Sequence, residues 1–340
     1  MDPRTKFREE VDNIKGAGAS GLLLPDTAEP GIAYLASNGD DTKGTVGDRF
    51  RPFATAQAAI TAAIVFTEGG DCILCGGKGS FGDMDVTGAS SLTLLGVGKY
   101  VTYFGAITSS TPLNIYGNGK DNVTVGEIVF QAPNGAIGNN GTDGGVDTNG
   151  TDGEAGGDGG TFSDGFNTII FSGLNGSGDA VILAGHGGSG GSGGYSSLGN
   201  TPGNGGKGGN AGAAVSFTCI DCIFQGYAVT EGSYGGSGGA GGNSTGNLSN
   251  GGNGGDAGNG SYGGQLTLIR TQVNGMECKG YNAGSPGSGG LGLANGSDGA
   301  SGSDGSSGNV VTSFAQAGSD VSNGESTTYR ASIIQGTWYP

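Results

Sequence analysis

After residue 130, glycine returns at every third position, breaks off, and restarts in the same rhythm four times over. The opening arms are Gly135, Gly138, Gly141, Gly144; Gly185, Gly188, Gly191, Gly194; Gly235, Gly238, Gly241; and Gly284, Gly287, Gly290. Each is followed by a short tip and a second arm in the same spacing, running Gly150 to Gly159, Gly203 to Gly212, Gly252 to Gly258 and Gly296 to Gly308. A period of three matches an extended helix with three residues per turn and a rise of about 3.1 Å per residue. Glycine in every turn leaves one bare stripe along which backbones approach closely. Collagen uses the same stripe but needs proline throughout, and this chain has 9 prolines against 81 glycines. Such helices make no internal hydrogen bonds, so their N–H and C=O groups must pair with neighbouring arms. A flexible Gly/Ser/Asn linker would have no reason to hold the triplet register or to restart it. The prediction is four out-and-back polyglycine-II hairpins.

Between the glycine arms the chain turns β-like, over Phe166–Phe171, Ala214–Phe224, Gln265–Val273 and Asn309–Phe314. One repeat of roughly fifty residues then reads as one coil of a solenoid, with a hairpin inserted at the same corner each time. Upstream, Asp71–Cys75, Ser91–Leu95, Tyr100–Phe104, Leu113–Tyr116 and Asn122–Phe130 are short apolar runs punctuated by glycine and asparagine, as strands are. Ahead of them, the turn Asn38-Gly39-Asp40-Asp41 leads to Pro52-Phe53-Ala54-Thr55-Ala56-Gln57-Ala58-Ala59-Ile60, an alanine-rich helix former. Residues 36–66 resemble the start of many right-handed parallel β-helices of the pectate-lyase-like superfamily. The resemblance implies a helix lying over the first coil and closing the open end of the apolar stack. It implies a fold and not an activity, since that superfamily holds lyases, hydrolases and inert fibres.

The fold class expected is therefore all-β: a right-handed parallel β-helix with inserted polyglycine-II hairpins forming a lateral bundle. Its parts are an attachment peptide and linker (1–35), a capped start (36–130), coils with four hairpins (131–318) and a closing segment (319–340). In the first part Phe7, Val11 and Ile14 fall at helical spacing and read as an attachment or oligomerisation face. In the last, Trp338 and Tyr339 end an apolar segment suited to a subunit contact. The Gly-x-x arms also resemble the tail-tip adhesins of some T-even-type phages and certain springtail antifreeze proteins. In the phage adhesins, the loops joining glycine helices contact the host receptor.

Charge narrows the partners. A net charge of −16 repels a phosphate backbone, so nucleic acid is not an expected partner. There is no apolar run of membrane-spanning length, and the N-terminus lacks the apolar stretch of a signal peptide. The expected location is a virus particle. Cys72/Cys75 and Cys219/Cys222 form two CxxC pairs. In a regular strand, i and i+3 face opposite sides, so these are expected to be buried thiols rather than a zinc site.

Catalytic sets are missing. The single histidine, His186, lies inside a glycine arm, where it is expected to be a solvated residue, and no nucleophile–base–acid set assembles around it. Past residue 51 the only arginines are Arg270 and Arg330, in no lyase-like motif. Asp147, Asp152, Asp158, Asp256, Asp298 and Asp304 are expected to solvate the arms. No phosphate-cradling Gly-Lys-Ser/Thr follows a glycine run. No enzyme, cofactor or metal is expected. Side chains escape the glycine lattice at the hairpin tips, making these the candidate receptor contacts: Val146, Thr148 and Asn149; Tyr195, Ser196 and Leu198; Asn243, Thr245 and Leu248; Leu291, Leu293 and Asn295. The expected function is a phage fibre or appendage, homotrimeric by analogy with phage fibres and spikes. It would join other virion proteins through its N-terminus and adhere to a host-surface glycan or protein. The alternatives are a polysaccharide-cleaving tailspike, a structural spacer or an ice-binding protein.

Overall fold

The computed structural model describes residues 31–144, 149–156, 169–196, 200–212, 217–244, 250–261, 264, 266–292, 297–304, 327–330, 332–334 and 337–339. Three sheets build the described residues, and each coil from Asp71 to Lys279 contributes one strand to each in turn. The first stacks Ile32–Leu35, Asp71–Gly76, Ser91–Leu95, Asn114–Gly117, Ile169–Ser172, Phe217–Ile220, Leu266–Ile269 and Thr327–Arg330. The second begins at Gly79–Ser80 and passes through Thr102–Tyr103, Thr124–Val125, Asn175–Gly176, Ile223–Phe224 and Gln272–Val273. The third stacks Met84–Asp85, Ile107–Ser109, Ile128–Gln131, Ala180–Leu183, Tyr227–Glu231 and Gly275–Lys279. The pairing is parallel throughout, except where Thr337–Tyr339 folds back on Ser332–Ile334 and closes the second sheet. The protein is thus an all-β parallel solenoid.

Burial alternates along the strands, as the two-residue period of a strand requires. Ile169, Phe171, Ala180, Ile182, Phe217, Cys219, Leu266 and Leu268 point inward, with their neighbours partly exposed. Inside the solenoid, Phe130, Phe171 and Phe217 meet ring to ring, with centroids 5.5 and 5.6 Å apart. Several stretches that read as single strands are split by corners. Asn122–Phe130 becomes Thr124–Val125 and Ile128–Gln131, and Ala214–Phe224 becomes Phe217–Ile220 and Ile223–Phe224. The second break is made by Asp221, held at φ 54°; one coil on, Arg270 sits at φ 49°. The Arg270 guanidinium grips the Asp221 carboxylate through two 2.7 Å hydrogen bonds, tying successive corners together. The stretch Asn309–Phe314 lies outside the described residues.

That corner also corrects the expectation for one cysteine pair. Cys72 faces the main core, while Cys75 joins Ile32, Tyr34 and Leu95 on the other side of the first sheet. Cys219 and Cys222, by contrast, both enter the main core, because the chain turns between them and the opposite-face rule for a regular strand no longer applies. Burial pushes the thiols of Cys75 and Cys222 up to about 12, far from the thiolate form that reacts. Alkylation at pH 8 in the native state should label neither, and labelling should become complete on unfolding.

At the N-terminal end, helix α1 (Ala56–Phe66) lies across Ile32–Leu35, Asp71–Gly76 and Met84–Asp85 and buries Ala56, Ala59, Ile60 and Ala63. Thr55 caps it, its hydroxyl accepting from the Ala58 N–H at 3.3 Å. Asp41, from the Asn-Gly-Asp-Asp turn, accepts from the Ala54 and Thr55 N–H groups and the Thr55 hydroxyl at 2.7, 2.9 and 2.8 Å. Desolvation raises the affinity of this carboxyl for a proton, but the hydrogen bonds from Thr55 and Ala54 outweigh it and hold the group below its ordinary value. A depressed folded-state value contributes stability above the unfolded value and loses it as pH falls through the folded one. Asp41→Asn should therefore cost about 0.5 kcal/mol at neutral pH, small because solvent screens an exposed carboxylate. The gap between the two melting curves should close in acid.

All four glycine-rich segments leave from one corner. They occupy the intervals between the third-sheet strands ending at Gln131, Leu183, Glu231 and Lys279 and the next first-sheet strands, which begin at Ile169, Phe217, Leu266 and Thr327.

Candidate functional site

Each insertion runs out and back. In the first, Thr151 and Glu154 donate their N–H groups to the carbonyls of Thr142 and Asn139, setting the arms antiparallel. Outgoing arms (134–144, 185–196, 233–244, 281–292) form one layer and returning arms (149–156, 200–212, 250–261, 297–304) a second. Within the outgoing layer one N–H per triplet donates to the next arm, as Gly138 to Ser189, Gly190 to Ser237 and Gly238 to Ser285, at 2.8, 2.8 and 2.9 Å. Returning arms are joined likewise, Gly153 to Asn204, Gly205 to Asn253 and Gly254 to Ala300, each at 2.8 Å. A second N–H per triplet crosses between layers: Gly206 to Gly191, Gly239 to Gly206 and Gly255 to Gly239, at 2.7, 2.8 and 2.8 Å.

The third N–H points outward, and where the preceding arm of the layer carries Asn or Asp in that row, its side chain accepts it. Asp152 takes the Asn204 N–H at 2.6 Å, Asn204 that of Asn253 at 2.9 Å, and Asn253 that of Ala300 at 3.0 Å. On the outgoing layer Asn134, Asn140, Asp143 and Asn243 do the same for His186, Ser192, Tyr195 and Leu291. This accounts for the abundance of Asn and Asp on the outer faces. Asp152 and Asp256, expected only to solvate the arms, are structural acceptors. The Ser303 hydroxyl, followed by its N–H, holds the Asp256 carboxyl below the ordinary carboxylate range.

Close approach explains the glycines. A Cβ on Gly191 would land on the Asn139 carbonyl, and one on Gly206 on the Glu154 carbonyl. The lattice is also directional: within a layer each arm donates to the next arm of that layer, and between layers each donates to the arm before it in the chain. On the fourth arm Pro286 occupies the place of Gly190 and Gly238, and a proline has no N–H to offer.

With glycine at one inner position of each triplet, and at both through most of the second and third hairpins, larger side chains stand in rows on the two outer faces. On the outgoing face the most distal described row is Asp143, Tyr195, Asn243 and Leu291. Together with Asn140, Ser192, Ala240 and Ser288 behind it, this row lines a depression of about 880 Å³. Tyr195 is 50% exposed and Leu291 59%.

Of the candidate tip residues, Tyr195, Asn243 and Leu291 thus come together. Asn149 lies on the returning layer, where its side chain accepts the Thr201 N–H at 2.9 Å. Ser196 is buried, and its hydroxyl donates to the Asn200 carbonyl at 2.9 Å, so it does not face solvent. Val146, Thr148, Leu198, Thr245, Leu248, Leu293 and Asn295 lie outside the described residues, as do Phe7, Val11 and Ile14. Trp338 and Tyr339 belong to the closing strand, with Trp338 opposite Ile333.

An aromatic group near the base of the same face escaped sequence reading. The His186 and Tyr234 rings stack at 5.9 Å, and Tyr281 backs Tyr234 at 4.5 Å. Ser233 Oγ lies 2.7 Å from His186 Nδ1, and the Tyr281 hydroxyl donates to Glu231 at 2.7 Å. Among the described residues no cluster of three or more His, Cys, Asp or Glu side chains is placed to hold a metal. No described helix is long and apolar enough to cross a membrane.

No protein family and no curated protein matches the chain. Among solved structures it is similar to the springtail antifreeze protein from Granisotoma rainieri, a nine polyproline type II helical bundle. The identity is 24% over 51% of this chain and 89% of that chain, with a TM-score of 0.19. At that score the likeness carries no weight for fold or function.

Proposed function

We propose that the protein is a non-enzymatic adhesive appendage of a phage particle. In this reading the solenoid is a right-handed β-helix and the glycine arms are polyglycine-II helices. The distal outgoing row meets the host surface. The observation that carries it is the gathering of Asp143, Tyr195, Asn243 and Leu291 over one depression, on a layer of backbone-stitched arms. Such a layer presents side chains at fixed spacing with little freedom to lose on binding, which is what a recognition surface needs. An aromatic, an aliphatic, an amide and a carboxylate in one row suit a mixed polar and apolar surface. The N-terminal segment carrying Phe7, Val11 and Ile14 attaches to other virion proteins, and three copies assemble, with Trp338 and Tyr339 at the subunit contact.

The test incubates purified protein with a panel of bacterial strains and their extracted surface polysaccharides, scoring retention on cells and polysaccharide chain length together. Retention without shortening is the expected result, reduced by Tyr195→Ala combined with Leu291→Ala. Shortening would overturn the non-enzymatic reading. A monomer at high concentration in light scattering would remove the trimer and leave adhesion standing.

A further inference from the structure

The two outer faces of the glycine layers differ in chemistry. The returning face carries amides, hydroxyls and charges, such as Asn204, Lys207, Asn253 and Asp256, and no described ring. The outgoing face carries rings at both ends. At its base Tyr234, 47% exposed, is stacked with His186 and backed by Tyr281. At its distal end stand Tyr195 and Leu291. Between the ends lie Ile137 and Asn140 on the first arm and, on the other three, only the small groups Ser189, Ser192, Ser237, Ala240, Ser285 and Ser288.

Taking the adhesive reading as its premise, we propose that the whole outgoing face, rather than the hairpin tips, is the ligand surface, and that its ligand is an extended, largely uncharged glycan chain. Nine residues separate the His186 and Tyr195 rows, about 28 Å at the rise of a three-residue extended helix. One sugar ring cannot reach both ends, whereas an oligomer lying along the arms does. Exposed tyrosine rings pack on the C–H faces of sugars, and the serine floor of the second, third and fourth arms supplies hydroxyls with no bulk to lift the chain. The proposal takes a glycan over a protein because the floor is too polar and too small-featured for the apolar centre of a protein interface. It takes an uncharged chain because Asp143 is the one carboxylate in the rows from Asn134 to Leu291, which hold no lysine or arginine.

Two anchors on one rigid face predict a length signature. Once one anchor is engaged, the second binds at high effective concentration, so long chains should bind about a hundred-fold more tightly than short ones. The experiment uses polysaccharide extracted from a retaining strain, cut by mild acid into short and long fractions, and titrated by calorimetry. Tyr195→Ala or Tyr234→Ala should each cost roughly ten-fold on long chains, as truncating an aromatic anchor does, and should erase the preference for length. Tyr234→Phe should keep it, and Lys207→Ala and Lys207→Gln on the opposite face should change nothing.

Cells are treated in parallel with periodate, which cleaves vicinal diols of sugars, or with protease. Retention lost to periodate and kept after protease is the expected result. Retention lost to protease alone would overturn the glycan while leaving adhesion intact. Equal binding of short and long fractions, or losses confined to the opposite-face variants, would overturn the extended site. Absence of retention on every untreated strain would overturn adhesion itself and this proposal with it.

Discussion

Gly206→Ala should force the first two returning arms apart and cost about 3 kcal/mol, at the upper end of what overpacking a well-filled interior costs. The reason is the nature of the neighbour. The new methyl would meet the Glu154 carbonyl, which is main chain and cannot rotate away. Relief requires the first returning arm to move. That arm is held by the Gly153 and Gly156 N–H bonds to Asn204 and Lys207, both 2.8 Å. The strain therefore spreads to bonds that are themselves regular. Lys207→Ala, one residue away on the exposed face, is the control and should change stability by no more than about 0.5 kcal/mol. Urea unfolding of both variants decides the matter, and equal midpoints would mean that neighbouring returning arms are not close-packed.

Phe171→Ala should cost about 3–5 kcal/mol, the usual price of an aromatic lost from a packed core. Phe171 is fully buried and touches Phe130 from one coil and Phe217 from the next, so the cavity would lie on the contact between successive coils. In a solenoid each coil is stabilised chiefly by its neighbours, and weakening one contact uncouples the chain on either side of it. Thermal unfolding should thus lose cooperativity as well as midpoint. Phe171→Leu, which refills much of the volume, should recover most of both; a single sharp transition for Phe171→Ala would argue against coil-by-coil coupling.

Much of this was legible in the residues because it is periodic. The triplet glycines mark the arms, the alternation in Ile169–Ser172 or Leu266–Ile269 marks the strands, and the alanine run marks the cap. What was not legible depends on pairing across distant residues. The side-chain acceptors span 52 residues from Asn134 to His186 but 48 from Asn243 to Leu291, because coils differ in length. Nothing within one arm says which face a residue will join. The aromatic group at the base illustrates this, since Ser233 and His186 meet across 47 positions. Corners hide for a different reason. Asp221 and Arg270 adopt left-handed backbone without being glycine, and their mutual grip is visible only once the coils are stacked.

The arms lie side by side and are stitched at every turn. A pull on the distal end along the arms therefore does not peel these stitches one after another. It loads them together in shear, with Gly135, Gly138, Gly141 and Gly144 all bonded to the second arm and Gly187, Gly190 and Gly193 to the third. Load applied through this face would be shared among many short bonds and passed sideways into coils that stack beneath. Rupture then requires many bonds to fail at once, so the lifetime under tension is set by the unfolding rate rather than by equilibrium stability. An array almost without side chains in its interior would in this way behave as a mechanical clamp.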